Sequence, residues 1–212
     1  INRTSAKTQS ALLEVMEELS VTVDGVTRKV PRPFVCIATE NPVGSAGTQP
    51  LPDSQLDRFM VRLSIGYPTA EDQMEILKAK RYANPLDSVQ AKVNRDDLLE
   101  VQNFLGSVNI ADSVLAYIVA LCERTRELEL VELGISPRGI IALTRMSRAC
   151  ALIRERDFVT PEDVREVFKA TCAHRLVLKP QARIESIDAE TVLDQVMSEV
   201  AAPSMGRAGG RA

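Results

Sequence analysis

The spacing of apolar positions changes as the chain runs from residue 1 to residue 65. Ala11, Leu12, Val15, Met16 and Leu19 recur at helical intervals and predict a helix over residues 6–18. Alternating β-branched residues then flank Asp24-Gly25. That pairing predicts a hairpin, because both central residues of the favoured tight turn need positive φ. Phe34-Val35-Cys36-Ile37-Ala38 is apolar without alternation, the pattern of a strand buried on both faces of a parallel sheet. A Gly/Pro/Ser-rich loop over residues 41–52 leads to a short helix over 56–59 and a last strand over 59–65. Gly66-Tyr67-Pro68 breaks the pattern, and a domain boundary is expected there.

Beyond the break every segment reads as helix. Thr69 with Asp72 forms a capping-box start, and Asn94 caps a helix ending near Gly106. Residues 112–126 carry a wide apolar face of Val114, Leu115, Ile118, Val119, Leu121 and Cys122. Ser136-Pro137 and Thr160-Pro161 are N-cap/N1 pairs, since proline lacks an N–H that the first helical turn would not use. A further helix is expected over 188–200. Residues 1–67 thus read as part of an α/β core and 68–200 as an all-helical domain. Residues 201–212 hold too little apolar surface to fold and are expected to be disordered.

Composition narrows the function classes. The chain has 212 residues, 45% of them hydrophobic and 4% aromatic, which suits helices more than a β-sandwich. A net charge of −3 argues against general nucleic-acid binding, which needs a basic surface. No apolar run reaches the roughly 18 residues of a membrane span. Cys36, Cys122, Cys150 and Cys172 are widely spaced and sit in apolar runs, so they read as buried reduced thiols of a cytoplasmic protein. His174 is the only histidine, which disfavours a metal site. It reads as a structural group near a helix end.

The phosphate-cradling motif G-x-x-x-x-G-K-[ST] does not occur. The only Lys followed by Ser or Thr is Lys7, and the first glycine is Gly25. The first methionine is Met16, so the chain is expected to be a piece of a longer protein.

Several stretches occur in a telling order. Ile1-Asn2-Arg3-Thr4-Ser5-Ala6-Lys7-Thr8-Gln9 is followed by Thr39-Glu40-Asn41-Pro42 at a predicted strand tip. Gln55-Leu56-Asp57-Arg58-Phe59, Ser136-Pro137-Arg138 and Ala173-His174-Arg175-Leu176 come next. Together they resemble MoxR-type AAA+ ATPases, from just after the Walker B motif onward. The resemblance implies the C-terminal part of a P-loop NTPase-type core, a parallel sheet with an inserted hairpin, followed by a helical lid. It implies that Asn41 is sensor 1 and orients the attacking water. Arg58 would be an arginine finger reaching the neighbouring subunit's nucleotide. Arg138 would be the sensor 2 arginine on the γ-phosphate of its own subunit's ATP.

The same resemblance implies ATP and Mg²⁺ as cofactors, with most of the Mg²⁺ ligands outside this chain. It implies a homo-oligomer, a hexameric ring, and chaperone-like remodelling of protein clients, including ones with von Willebrand factor A domains. The chain alone is expected to be inactive. Plainer readings stand beside these. Arg58 can be a surface partner of Asp57, Asn41 a turn residue before proline, and Arg138 a solvated helix-start cation. A magnesium-chelatase-type motor subunit and a non-catalytic helical interaction module are the competing functions.

Overall fold

The computed structural model describes residues 1–40, 51–80 and 84–204. Helix α1, Ala6–Glu18, has the predicted bounds. Ser5 caps it by accepting from the Thr8 N–H, and Leu19 ends it at φ 50°. Its buried stripe differs from the expected one. Gln9 and Leu13 are buried, whereas Leu12 and Leu19 are exposed. Strands β1, Ser20–Val23, and β2, Val26–Lys29, form the predicted antiparallel hairpin. Asp24 at φ 51° and Gly25 at φ 75° make its turn, as the Asp-Gly signal requires.

The two buried strands expected over residues 34–38 and 59–65 do not form. Both stretches lack regular structure and have no ladder partner among the described residues. A strand exists through its neighbours' N–H and C=O groups, so an apolar run with none beside it stays irregular. Their apolar side chains are correspondingly open: Ile37 is 88% and Ile65 99% exposed. Cys36, expected buried, is exposed for the same reason, while Cys122 and Cys172 are buried and Cys150 lies between. The short helix expected over 56–59 forms earlier in the chain, as α2, Asp53–Leu56. Asp53 at its start favours that shift, since an acidic side chain complements the helix N-terminus. Tyr67, at the chain break, is fully exposed.

Helix α3, Ala70–Lys80, starts with the expected box, Thr69 N–H to Asp72 at 3.3 Å and Asp72 N–H to Thr69 Oγ1 at 3.2 Å. Helix α4, Arg95–Phe104, is capped by Asn94, which accepts from the Asp97 N–H at 2.8 Å. The main core lies among α5 (Asp112–Glu127), α6 (Pro137–Ile153), α7 (Pro161–Cys172) and α9 (Ala189–Glu199). Ile118, Leu121, Leu143, Val164, Phe168, Leu193 and Val196 are wholly enclosed there. The expected face of α5 is correct at Val114, Ile118, Leu121 and Cys122. It is too wide at Leu115 and Val119, which are exposed.

This part is not purely helical. Strands β3, Val131–Leu133, and β4, Val177–Leu178, pair antiparallel and hold the ends of α5 and α7 together. Such short strands leave no periodic signal. A short helix α8, Pro180–Ile184, follows. The tail assigned to 201–212 falls outside the described residues from 205 onward, and 201–204 have no regular structure.

Two buried polar groups fix the helices. Asp163, in the first turn of α7, accepts from the Thr160 N–H at 2.8 Å and from Arg156 Nη1 at 2.7 Å. Burial raises its pKa, but the Arg156 and Thr160 hydrogen bonds outweigh that and hold it at about 2. At the other end of α7, His174 Nε2–H donates to the Phe59 carbonyl at 3.0 Å. Its buried Nδ1 has no partner among the described residues. Burial first, and then the neighbouring Arg175 and Arg62 cations, lower its pKa to about 4; the Phe59 carbonyl and Asp57 pull only partly the other way.

Both groups have folded pKa values below their unfolded ones, so each contributes stability above its unfolded pKa and loses it as pH falls. For Asp163 the loss runs from about pH 4 toward 2 and amounts to about 2 kcal/mol. Asp163→Asn is therefore expected to lower Tm at pH 7, with a smaller difference from wild type at pH 2–3. For His174 the loss runs from pH 6.5 through 4. Wild type is expected to lose Tm over that window while His174→Gln shows a flatter profile. Thermal melts from about pH 2 to 7.5 check both.

Candidate functional site

Asp57 lies just past α2, and the structure does not pair it with adjacent Arg58. Its carboxylate accepts from Arg175 on one oxygen and from Ser136 Oγ, at 3.0 Å, on the other. Arg175 is almost fully buried. Its Nε donates to Thr171 O at 2.8 Å, and its terminal nitrogens donate to the carbonyls of Asp57 and Phe59. The backbone on both sides of Arg58 is thereby bonded to the end of α7. Arg62 N–H donating to Ala170 O at 2.9 Å continues that seam.

Ser136 links this network to α6. Its Oγ accepts from the Gly139 N–H at 3.2 Å, the N-cap bond expected of Ser-Pro at a helix start. The preceding residue is fixed as well. Ile135 N–H donates to Thr125 Oγ1 at 3.0 Å, and Ile135 O accepts from Arg126 Nη2 at 2.8 Å. Gly139 has a packing reason. A Cβ there would lie 2.5 Å from Ile135 Cγ2 and 3.1 Å from Arg175 Cδ. Any side chain would press on the arginine that holds Asp57.

Arg58 and Arg138 meet at one residue, Glu17 near the end of α1. Arg58 Nη1 donates to Glu17 Oε2 and to Leu13 O, the latter at 3.4 Å. Arg138 Nη2 donates to Glu17 Oε1 at 2.5 Å. Arg58 Nε is buried without a hydrogen-bond partner among the described residues. Two cations thus share one carboxylate, which leaves a local surplus of positive charge. Such a group suits an anion with several oxygens.

Of the sequence candidates, Arg58 and Arg138 are brought together, and Asn41 lies outside the described residues. Sequence reasoning missed Glu17, Ser136 as a ligand of Asp57, and Arg175. An acidic residue on a helix carries no local signal, and the stretch that contains Arg175 does not say which distant group its side chain meets. Only tertiary contacts separate these from solvated charges. Among the described residues no group of three or more His, Cys, Asp or Glu side chains could hold a metal ion. No described helix is long and apolar enough to cross a membrane. An apolar groove between α4 and α6, lined by Val101, Phe104, Leu105, Ala149, Leu152 and Ile153, contains none of the site residues.

Comparison with known proteins identifies the family. Residues 1–61 match the family model described as "ATPase family associated with various cellular activities (AAA)", and residues 123–196 match the AAA lid domain. An uncharacterized Bacillus subtilis protein, YeaC, is 43% identical over 96% of this chain and 63% of its own length. Chaperone MoxR1 of Mycobacterium tuberculosis is 38% identical over 97% of this chain and 56% of its own length. A crystal structure of a candidate ATPase from Cytophaga hutchinsonii superposes with a TM-score of 0.89 at 35% identity. It covers 96% of this chain, which in turn covers 64% of it. The chain spans 56–63% of the length of those two relatives. With a core segment and a lid of this kind, joined through Asp57 and Ser136, the chain belongs to the MoxR-type AAA+ ATPases.

Proposed function

We propose that this chain is the sensor-and-lid portion of an ATP-hydrolysing MoxR-type machine. The complete protein assembles as a ring with nucleotide at subunit interfaces. It uses ATP turnover for chaperone-like remodelling of protein clients, von Willebrand factor A domain proteins among them. It works in the cytoplasm. The observation that carries the reading is the convergence of Arg58 and Arg138 beside one carboxylate. The two residues stand in Leu-Asp-Arg-Phe and Ser-Pro-Arg, where the family resemblance assigns a finger and a sensor.

The residues fit a phosphate. The terminal guanidinium N–H groups of both arginines that Glu17 does not engage supply donors for phosphoryl oxygens. ATP would supply the scissile phosphoanhydride bond. Arg58, a rigid guanidinium on a backbone held by Arg175, stabilises charge that grows on the phosphoryl oxygens during transfer. In comparable GTPases such a residue is worth on the order of 10³–10⁵ in rate. Arg138 holds the terminal phosphate to the lid. Asn41 orients water, the role of a side chain that both donates and accepts. Mg²⁺ finds no cluster of three or more His, Cys, Asp or Glu side chains among the described residues.

In the full-length protein, Arg58→Ala is expected to abolish most hydrolysis while leaving ATP affinity nearly intact. The contact it removes strengthens mainly in the transition state. Turnover and calorimetric ATP binding on the same preparation check this. Mixing that variant with one unable to bind ATP is expected to restore some activity, because an intact finger then meets an intact site across an interface. Near-normal turnover of Arg58→Ala would make Arg58 a plain ion-pair partner of Glu17. Arg138→Ala is expected to weaken ATP more than ADP, by about 1.5–3 kcal/mol for one charge-assisted hydrogen bond. Titrations with both nucleotides decide it, since equal losses would mean contact with the shared phosphates only.

A further inference from the structure

Arg175 spends its buried fork on the chain that carries Arg58. Nη1 donates to the carbonyl and the carboxylate of Asp57, and Nη2 donates to the Phe59 carbonyl at 2.6 Å. His174 Nε2–H adds a second bond to that same carbonyl at 3.0 Å. The backbone on either side of Arg58 is thus held from the end of α7. Stability alone does not call for an ion pair here, because a well-packed apolar pair of similar volume is often as stable as two buried charges. What the guanidinium adds is direction: its planar fork fixes the angle as well as the distance of what it binds.

Asp57 has a second partner. Its Oδ2 accepts from Ser136 Oγ at 3.0 Å, and Ser136 stands two residues before Arg138. As the N-cap of α6, Ser136 already accepts from the Gly139 N–H, so its hydroxyl accepts on one side and donates on the other. The donation accounts for the residue type. Asp and Gly also cap helices, but Asp would set a second carboxylate against Asp57, and Gly offers no donor. Gly139 brings the same turn against Arg175, since a Cβ there would lie 3.1 Å from Arg175 Cδ. One carboxylate therefore touches what stands behind each arginine, the strut of the Arg58 backbone and the helix start of Arg138.

We propose that Asp57 is a positioning residue that, through Arg175 and Ser136, sets two arginines serving two different nucleotides: Arg58 for the neighbouring subunit's ATP and Arg138 for its own subunit's. This rests on the ATPase reading given above and names the residues that hold its machinery in place. Asp57 touches no ligand and transfers no proton. It fixes where the two guanidiniums start from, and a misplacement of about 1 Å costs on the order of a hundredfold in rate. A change at Asp57 therefore reaches two sites at once, hydrolysis in the neighbouring subunit and ATP-over-ADP discrimination in its own.

The test uses the full-length protein and reads kcat with ATP together with the ratio of ATP to ADP affinity. Asp57→Asn keeps the side-chain shape and removes the charge. It is expected to lower kcat roughly ten- to a hundredfold and to lower the affinity ratio as well. On the Arg58→Ala background its kcat cost is expected to shrink below about threefold, because Asp57 acts on rate through Arg58. On the Arg138→Ala background it is expected to leave the affinity ratio where Arg138→Ala puts it.

Asp57→Asn strips the enclosed Arg175 of its counter-charge and can cost folding, so Ser136 supplies an independent arm. Glycine caps a helix nearly as well as serine, and Ser136→Gly chiefly removes the bond to Asp57. It is expected to lower the affinity ratio roughly three- to tenfold, the scale of one hydrogen bond. Ser136→Thr restores the hydroxyl and is expected to return the ratio to the wild-type value. Partial unfolding removes active protein without changing that ratio, so the readout separates positioning from structural support.

A wild-type affinity ratio in Ser136→Gly overturns the positioning role and leaves the ATPase reading standing, provided Arg58→Ala is inactive. A kcat cost of Asp57→Asn that is the same with and without Arg58 overturns it as well. If Arg58→Ala keeps normal turnover, the ATPase reading itself fails and the positioning role goes with it.

Discussion

The carboxylate of Asp57 joins the two parts of the site. One oxygen takes a guanidinium from the end of α7, and the other takes the hydroxyl that caps α6. Arg175 is enclosed and Asp57 mostly so. Removing either partner would strand the other away from water, a loss that for buried pairs reaches several kcal/mol. Both pairing and carbonyl contacts satisfy the Arg175 fork, which is the condition under which a buried charge is tolerated. This network fixes the position of the Arg58 backbone. It also fixes the first turn of α6, and with it Arg138. The separation of Arg58 and Arg138 is thus set largely by Asp57, Arg175 and Ser136.

A local hydrogen-bonding ledger shows why the helical part can bear that duty. Its starts are capped by Asn94, Ser136, Thr160 with Asp163, and Asp188, each satisfying N–H groups that the helix cannot. Its centre is a continuous apolar cluster from Val108 to Val196. The first forty residues have a far smaller interior, with Leu13, Gln9 and Asn2 as their buried side chains. The N-terminal segment is thus referenced to a stiff body through a few polar bonds. An apolar interface would set its orientation less sharply, because dispersion contacts are short-ranged and non-directional.

Much of the fold was legible because its signals are local. Asp24-Gly25 marks a hairpin turn, Ser136-Pro137 and Thr160-Pro161 mark helix starts, and helical spacing marks α1 and α5. The two missing strands have one cause. Apolar runs at 34–38 and 59–65 specify strands only where neighbouring strands supply partners, and none of the described residues do. The β3–β4 ribbon is the converse case: a few residues paired across most of the lid sequence, invisible to periodicity. For the site, motif order singles out Arg58 and Arg138, and the structure brings both to Glu17. Glu17 and Arg175 were not legible, since nothing in a charged residue's sequence neighbours tells which distant group it meets. Asp57-Arg58 shows the hazard directly. Adjacency suggests a pair, and the chain pairs each of them with a different residue far along the sequence.

Burial sorts the arginines where sequence does not. Arg175 is 2% exposed and spends its donors on one carboxylate and backbone carbonyls. It is a strut, bound to groups that cannot exchange with ligand. Arg58 and Arg138 remain open to water and bind a carboxylate that is itself exposed, so their contacts can exchange for a stronger anion at small cost. The phosphate-binding role proposed for them requires a guanidinium held firmly at its backbone and loosely at its tip. Buried polar bonds provide the first condition and a solvent-facing ion pair provides the second. The 57–60 segment combines both within a single turn of chain.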